Sequence, residues 1–115
     1  MDLYSREHRT LERGDPHIFK LGFATEFPEG WVAMIQDRSS MGAKGIRVLG
    51  GIIDPSYRGE WGAILVNLTD REIVVKPGDR IAQVLFKQVG KAEVETVKEL
   101  SGSERGAGGF GSTGR

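Results

Sequence analysis

The amino-acid sequence predicts an all-β domain, a sandwich or barrel built from short strands. Glycine and proline interrupt the chain roughly every 8–12 residues, a spacing typical of turns between short antiparallel strands. Short runs of apolar and β-branched residues lie between these turns, and no segment keeps a helical period of about 3.6 residues. With 115 residues, the chain is long enough for one small domain with a single core.

The first predicted strands flank a Pro-Glu-Gly turn. Residues 18–27 alternate roughly between apolar and polar side chains, and a second strand-like run at residues 31–37 follows the turn. Residues 45–54 and 61–67 are two further strand-like runs separated by Pro-Ser-Tyr-Arg-Gly-Glu. We expect these two runs to form a hairpin.

A second hairpin is predicted at residues 72–89, where two β-prone runs enclose the turn Pro-Gly-Asp. Residues 92–100 fit either a strand or one amphipathic helix. The β-branched residues Val94, Thr96 and Val97 favour the strand.

The composition changes sharply after residue 100. Six of the last fifteen residues are glycine, and Phe110 is the only large apolar side chain among them. Such a segment cannot build a core of its own. We therefore predict a β domain at residues 1–100 and a flexible, glycine-rich C-terminal arm at residues 101–115.

Composition also narrows the functional classes. Sixteen acidic and sixteen basic residues cancel, which argues against a general nucleic-acid or membrane-surface binder. The absence of cysteine excludes disulfides and thiolate chemistry and permits a reducing compartment. No apolar run approaches the roughly 18 residues of a membrane span, and the N-terminal residues lack a signal-peptide pattern, so a cytoplasmic location is expected. His8 and His17 have no partner at metal-ligand spacing and are expected at the surface.

The arm contains Gly-x-Gly-x-x-Gly at Gly106, Gly108 and Gly111, a spacing known from dinucleotide-binding folds. Such a fold needs a helix and an acidic residue downstream, yet only four residues of the sequence follow Gly111. No lysine occupies the position that a P-loop requires. The segment instead offers consecutive backbone amides, flanked by Arg105 and Ser112, that can wrap an anion.

Four other stretches carry polar residues suited to nucleotide chemistry. They are Asp2-Leu3, Asp-Arg-Ser-Ser-Met-Gly at residues 37–42, Gly-Gly-Ile-Ile-Asp-Pro-Ser-Tyr-Arg-Gly-Glu at residues 50–60, and Pro-Gly-Asp-Arg-Ile-Ala-Gln-Val-Leu-Phe at residues 77–86. Together with the arm, these five blocks resemble, in the same order, the motifs of the trimeric deoxyuridine triphosphatase (dUTPase) family. The resemblance extends over the whole chain.

The resemblance implies a distorted jelly-roll fold that assembles as a homotrimer, with active sites between subunits and each site closed by a neighbour's arm. It implies a dUTP diphosphatase, which hydrolyses dUTP to dUMP and pyrophosphate, with Mg²⁺ held through substrate phosphates and water rather than directly by the protein. The implied partners are dUTP and other copies of the chain, not nucleic acid or membrane. In the family, a further strand and an Ala-Gly pair precede the position of Met1, so weaker support for the sheet is expected here.

The resemblance assigns Asp54 as the general base that deprotonates a water attacking the α-phosphorus. An aspartate before proline also commonly opens a turn, which is the structural alternative. Tyr57 would pack against the deoxyribose and leave no room for a 2′-hydroxyl. Gly51, Ile52 and Ile53 would present backbone groups to uracil, since a strand glycine permits close approach.

The phosphate-binding residues implied by the resemblance are more widely spread. Arg38, Ser39 and Ser40 resemble a triphosphate cradle, although the family usually has glycine at the position of Ser40. The structural alternative is a serine-containing loop in which Arg38 pairs with Asp37. Gln83 resembles a phosphate- or water-binding glutamine, whereas a lone strand glutamine would ordinarily face solvent.

The arm and the N-terminus complete the implied site. Arg105 would bind the terminal phosphate and Phe110 would lie on the uracil ring. Gly111, Ser112 and Thr113 would wrap the γ-phosphate with amides and hydroxyls. Asp2 would organise the site from the same subunit without touching substrate.

Two alternatives remain. The related dCTP deaminase family shares the fold and patterns like those at residues 37–40 and 53–55, but its strand after the hairpin carries a glutamate that residues 61–67 lack. The second alternative is a catalytically silent nucleotide-sensing or protein-binding module of the same fold.

Overall fold

The computed structural model describes residues 1–114, which form nine β-strands and one short helix. The prediction of an all-β domain is confirmed. The elements are β1 (Asp2–Tyr4), β2 (Arg9–Leu11), β3 (His17–Lys20), β4 (Trp31–Gln36), α1 (Ser39–Ala43), β5 (Ile46–Leu49), β6 (Ile52–Ile53), β7 (Gly62–Asn67), β8 (Ile73–Val75) and β9 (Arg80–Gln88).

The strands form three antiparallel sheets, in the orders β1-β9-β4-β6, β3-β7-β5 and β2-β8. These sheets do not join into one closed barrel within residues 1–114. Inward-facing apolar side chains from all three sheets form one core, in which the largest fully buried residues are Trp61, Phe19, Leu3, Leu11, Ile35, Ile46, Leu65 and Ile81.

The segment 45–54 is two strands rather than the single strand expected from its apolar run. β5 pairs with β7 in one sheet, whereas β6 pairs with β4 in another. Gly50 and Gly51 separate the two strands with φ values of +66° and +98°, which only glycine adopts at low cost. The expected pairing with residues 61–67 is correct for β5, and the chain crosses between sheets at the glycine pair.

The second predicted hairpin is wrong. β8 pairs with β2, whereas β9 pairs with β1 and β4, so the two strands beside the Pro-Gly-Asp turn belong to different sheets. Ser5 holds this turn on both sides, because its carbonyl accepts from Gly78 N–H and its own N–H donates to the carbonyl of Asp79, each at 2.8 Å. Pairing with this distant segment replaces the local hairpin.

The first predicted strand is shorter than expected. β3 ends at Lys20, and Gly22 has a φ of +80° that breaks the extended backbone. The backbone of Trp61 holds the irregular segment that follows. Its N–H donates to Phe23 O at 2.9 Å, and its carbonyl accepts from Leu21 N–H at 3.0 Å. The strand predicted at residues 31–37 is present as β4.

The strand predicted at residues 92–100 is absent, and no helix replaces it. Every residue of this segment is exposed, with Val94 and Leu100 at 95% and 84%. The last backbone hydrogen bond to the domain joins Val89 N–H to Gly30 O at 2.9 Å. The chain beyond it extends outward, so the radius of gyration is 18.7 Å, whereas a compact chain of this length would have roughly 13 Å.

Within residues 1–114, no helix is long and apolar enough to span a membrane.

Candidate active site

The loop after β6 places a carboxylate at the open end of a sheet. Asp54 follows Ile53 directly and is exposed, while Tyr57 N–H donates to Asp54 O at 3.1 Å and closes the turn. Arg58 fixes the same turn by donating from Nη1 to Pro55 O at 2.6 Å. The sequence thus forms a short, internally bonded tip that holds Asp54 where solvent or a ligand reaches it.

A shallow cavity of about 350 Å³ lies beside this tip. This volume falls within the roughly 300–1,000 Å³ of small-molecule pockets. Its wall is mostly aliphatic, with a phenol and three charged groups at the rim, from the residues Ile18, Ile52, Ile53, Ile64, Tyr57, Lys20, Asp54 and Glu60, together with Gly62. An apolar wall with a few polar groups suits a flat organic group attached to a charged one.

Strand β6 forms the edge of its sheet and leaves backbone groups facing this region. Gly51 O accepts from Ile35 N–H at 2.7 Å, and Ile53 is paired with Ala33. Because hydrogen-bonding directions alternate along an antiparallel strand, the N–H and C=O of Ile52 point away from β4. Gly51 was expected to present backbone groups to a base, but its carbonyl is bonded inside the sheet. The backbone N–H and C=O that face away from the sheet are those of Ile52.

Gly51 is also required by space. A Cβ at this position would lie 2.5 Å from the carbonyl oxygen of Ile35, closer than real Cβ atoms approach. The strand pair therefore comes together only because residue 51 has no side chain.

Arg38 stands at the centre of a second cluster. Its Nε donates to Asp2 Oδ1 at 3.0 Å and its Nη1 donates to Ser40 Oγ at 3.0 Å. Arg80 reaches the other oxygen of Asp2 at 3.6 Å. The pairing of Arg38 with Asp37, weighed as the structural alternative, is thus not what the structure shows. Asp2 instead joins β1 to the turn that carries Ser39 and Ser40.

Ser39 and Ser40 lie in the first turn of helix α1, where a loop was expected. Arg38, Ser40, Lys44 and Arg80 border a cavity of about 210 Å³ whose wall also includes Asp79. Basic side chains therefore outnumber acidic ones along this cavity, which favours an anion over a cation.

The turn before α1 is anchored from two sides. Asp37 Oδ1 accepts from Val48 N–H at 2.6 Å, and Asp37 Oδ2 pairs with Arg47 Nε at 2.9 Å. Gln83 Nε2 donates to Asp37 O at 2.8 Å. Gln83 is therefore a partly buried residue bonded to this turn, which differs from the solvent-facing alternative. Sequence reasoning missed the anchoring role of Asp37, for which a carboxylate directly before Arg-Ser-Ser was the available signal.

The C-terminal arm stands apart from both clusters. Arg105 Nε donates to Gly108 O at 2.7 Å, and the arm's other hydrogen bonds are also local. Phe110 is fully exposed, with a φ of +50° that is rare for a residue other than glycine. Among residues 1–114, no hydrogen bond or ion pair joins residues 101–114 to the rest of the chain.

The structure thus brings together some predicted site residues and not others. Ile52, Ile53, Asp54 and Tyr57 share one cavity, whereas Arg38 and Ser40 border another. Arg105, Phe110, Gly111, Ser112 and Thr113 approach neither within one chain. Residue 115, the last position of the predicted arm, lies outside the described residues.

The histidines lie away from these clusters. His8 is exposed, whereas His17 is only 22% exposed in its side chain, with Nε2 placed 2.6 Å from Glu7 Oε1. The expectation of a plain surface residue therefore holds for His8 and not for His17. In the part of the chain that the structure describes, no three His, Cys, Asp or Glu side chains are grouped to hold a metal ion.

The all-β fold, with an apolar cavity beside Asp54 and a mostly basic cavity beside Arg38, suits the class of β proteins that bind an anionic organic ligand. The family model described as dUTPase matches residues 1–114. The chain belongs to the dUTPase family.

Individual relatives agree with this assignment. The chain is 43% identical to the deoxyuridine 5′-triphosphate nucleotidohydrolase of Clostridium tetani over 118 aligned residues, which cover 100% of this chain and 81% of that protein. It is 50% identical to the enzyme of the same name from Hydrogenobaculum sp. over 100 residues, with coverages of 84% and 69%.

Solved structures of dUTPases have the same fold. The dUTPase of Staphylococcus bacteriophage 80alpha, solved with dUPNHPP, superposes with a TM-score of 0.87 at 27% identity, over 99% of this chain and 85% of that chain. A mutant dUTPase from phage phi11 of S. aureus, whose structure describes the coordination of a structural Mg(II) ion, has a TM-score of 0.80 at 22% identity, with coverages of 88% and 84%.

Proposed function

We propose that this protein hydrolyses dUTP to dUMP and pyrophosphate. The observation that carries the proposal is the exposed carboxylate of Asp54 at the rim of an apolar cavity, between Tyr57 and the free backbone edge of Ile52. Membership of the dUTPase family supports it, as does the name deoxyuridine 5′-triphosphate nucleotidohydrolase carried by the relatives.

Asp54 acts as the general base. It accepts a proton from a water molecule whose oxygen forms a bond to the α-phosphorus. The bond from the α-phosphorus to the bridging oxygen breaks, and pyrophosphate leaves with the electron pair. A positioned base of this kind contributes on the order of 10²–10⁴ in rate. Exposure of Asp54 beside the cavity supports this role, because water and phosphate both reach it.

The cavity beside Asp54 selects the nucleoside. The backbone N–H and C=O of Ile52 lie at the sheet edge, where they can pair with the donor and acceptor groups of uracil. A cytosine presents a donor where an acceptor is wanted, and each buried group left unpaired costs about 1–3 kcal/mol. Tyr57 lines the same cavity, and in this proposal its ring packs against the deoxyribose and leaves no room for a ribose 2′-hydroxyl.

The phosphates bind to the second cluster and to an arm. Ser39 and Ser40 offer hydroxyls at the start of α1, and Arg38 is held beside them by Asp2. Gln83 steadies the same turn through its bond to Asp37 and binds phosphate or water with its remaining polar groups. Arg105, Gly111, Ser112 and Thr113 supply the donors for the terminal phosphates, while Phe110 covers the base.

The site is shared between copies in a homotrimer. The two clusters and the arm are separate within one chain, and the arm makes only local hydrogen bonds. The apolar side chains of Ile18 and Ile52 in the cavity wall beside Asp54 are 54% and 57% exposed, so the bound nucleoside and a neighbour's arm together would cover them. This arrangement supports a site completed by the arm of a neighbouring chain.

Magnesium binds with the substrate in this proposal. The cation is held through the phosphates of dUTP and water rather than directly by the protein, because phosphate and water supply the hard oxygen ligands that Mg²⁺ prefers. Bound Mg²⁺ would neutralise charge on the departing pyrophosphate.

The expected cytoplasmic location stays a prediction.

Pyrophosphate release in the presence of Mg²⁺, measured on dUTP beside UTP, dCTP and dTTP, tests the function. Release from dUTP alone is the expected result. Release of ammonia from dCTP would assign the chain to the deaminase reaction instead. Tight binding of dUTP without turnover would show a catalytically silent sensor.

A further inference from the structure

Gly59 lies between Tyr57 and Glu60 at the tip that carries Asp54. A Cβ built on Gly59 would stand 2.4 Å from Tyr57 Oη, 2.6 Å from Cζ and 2.9 Å from Cε2. The phenol ring thus folds back over residue 59 and occupies the volume that a side chain there would fill. Gly59 does not have a positive φ, so no left-handed backbone requires glycine here. A side chain at residue 59 would therefore displace the phenol ring of Tyr57.

The ring is held in this place by few contacts. Tyr57 Oη donates to Glu60 O at 3.0 Å, and the Glu60 carboxylate accepts from Gly22 N–H at 2.9 Å. Tyr57 is 44% exposed and lines the cavity beside Asp54. Because no core packing surrounds the ring, its closure over Gly59 and the bond to Glu60 determine where it stands.

We propose that Gly59 is a positioning residue for sugar selection. By having no side chain, it lets the ring of Tyr57 lie against the tip at the distance that admits a deoxyribose and excludes a ribose. The inference rests on the proposed function, in which this ring packs against the sugar. Displacing the ring should lower the preference for dUTP over UTP whichever way the ring moves. A ring moved into the cavity obstructs dUTP, and a ring moved outward admits UTP.

The test is the ratio of kcat/KM for dUTP to kcat/KM for UTP in Gly59→Ala. We expect this ratio to fall about 10- to 100-fold, the range in which a pocket discriminates one small group. Gly90→Ala is the matched control, because a Cβ there meets no atom within 4 Å and Gly90 has no positive φ. The control should keep the ratio of the unsubstituted protein.

A double-mutant cycle separates the ring from other causes. Tyr57→Ala removes the ring, so adding Gly59→Ala to it should not lower the ratio further. If Gly59→Ala lowers the thermal midpoint and Tyr57→Ala restores it, the clash itself is demonstrated.

Two results would overturn the inference while leaving the proposed function intact. One is an unchanged ratio in Gly59→Ala, and the other is an equal fall with and without the ring. Failure of the unsubstituted protein to hydrolyse dUTP would instead overturn the proposed function and the inference together.

Discussion

The Asp37 carboxylate accepts a 2.6 Å hydrogen bond from the backbone N–H of Val48, and this contact ties the end of β4 to β5. It fixes the residue immediately before Arg38, Ser39 and Ser40. Gln83 holds the carbonyl of the same residue from the opposite side. The start of the proposed phosphate site therefore depends on a carboxylate that touches no substrate itself.

Replacing Asp37 should damage both stability and phosphate binding. Asp37→Ala leaves the partly buried N–H of Val48 without its acceptor, which costs about 1–3 kcal/mol of unfolding free energy. The turn would lose its anchor, so we expect KM for dUTP to rise more than kcat falls. Denaturant unfolding and steady-state kinetics measure the two effects.

The control for this change is Arg47→Gln, which removes only the ion pair to Asp37. Arg47 is 61% exposed in its side chain, and exposed pairs contribute about 0–1 kcal/mol. If Arg47→Gln raises KM as much as Asp37→Ala does, the turn is positioned by the ion pair between Arg47 and Asp37 and not by the hydrogen bond from Val48 N–H to Asp37.

Asp54→Asn tests the proposed base directly. Asparagine keeps the size of the side chain but cannot accept the proton of the attacking water, so turnover should fall about 10²- to 10⁴-fold while dUTP still binds. Pyrophosphate release and calorimetric titration with dUTP report the two properties. Asp70→Asn, an exposed carboxylate in the loop before β8, serves as the control. Turnover that survives in Asp54→Asn would remove Asp54 from the mechanism.

Removing the arm should affect catalysis without affecting the fold. A chain lacking residues 105–115 loses the proposed terminal-phosphate donors, so KM for dUTP should rise and kcat should fall. The thermal midpoint should stay within a few degrees, because hydrogen bonds of residues 105–114 are all made within residues 103–114. Full activity of the truncated chain would rule out the proposed role of the arm.

A mixing experiment asks whether the arm acts on a neighbouring copy. Chains with Asp54→Asn keep the arm, and chains lacking residues 105–115 keep Asp54. If an arm closes a neighbour's site, refolding the two impaired chains together should raise pyrophosphate release above that of either chain alone. If each arm serves its own chain, the mixture should release no more pyrophosphate than the two chains do separately.

The glycine pair before β6 gives a prediction about folding. A Cβ on Gly51 would meet the Ile35 carbonyl oxygen at 2.5 Å, whereas a Cβ on Gly50 would meet only Ile64 Cδ1 at 3.9 Å. Gly50→Ala should therefore lower the free energy of unfolding only by the roughly 1–2 kcal/mol that a left-handed backbone costs a residue with a side chain. Gly51→Ala should lower it clearly more. Denaturant unfolding compares them. Equal costs would mean that the strands can separate to accept the extra carbon.

Local sequence signals predicted β4, the class of the fold and the turns around Asp54 and Gly78, because alternation and turn residues act over a few positions. They could not predict which strands pair. Ser5 captures the turn at Gly78 from more than seventy positions away, and this contact assigns β8 and β9 to different sheets. The arm could be recognised by its glycines, whereas its separation from Asp54 depends on where other copies of the chain lie.

The crossing at Gly50 and Gly51 also limits which insertions and deletions the segment between β5 and β6 can accept. Adding or removing a single residue there would invert the faces of Ile52 and Ile53 and turn the aspartate after them toward the opposite side. A family member with a longer or shorter crossing should therefore differ there by an even number of residues, which keeps the faces of Ile52 and Ile53. Alignments of such proteins should show either no insertions at this crossing or insertions of an even number of residues.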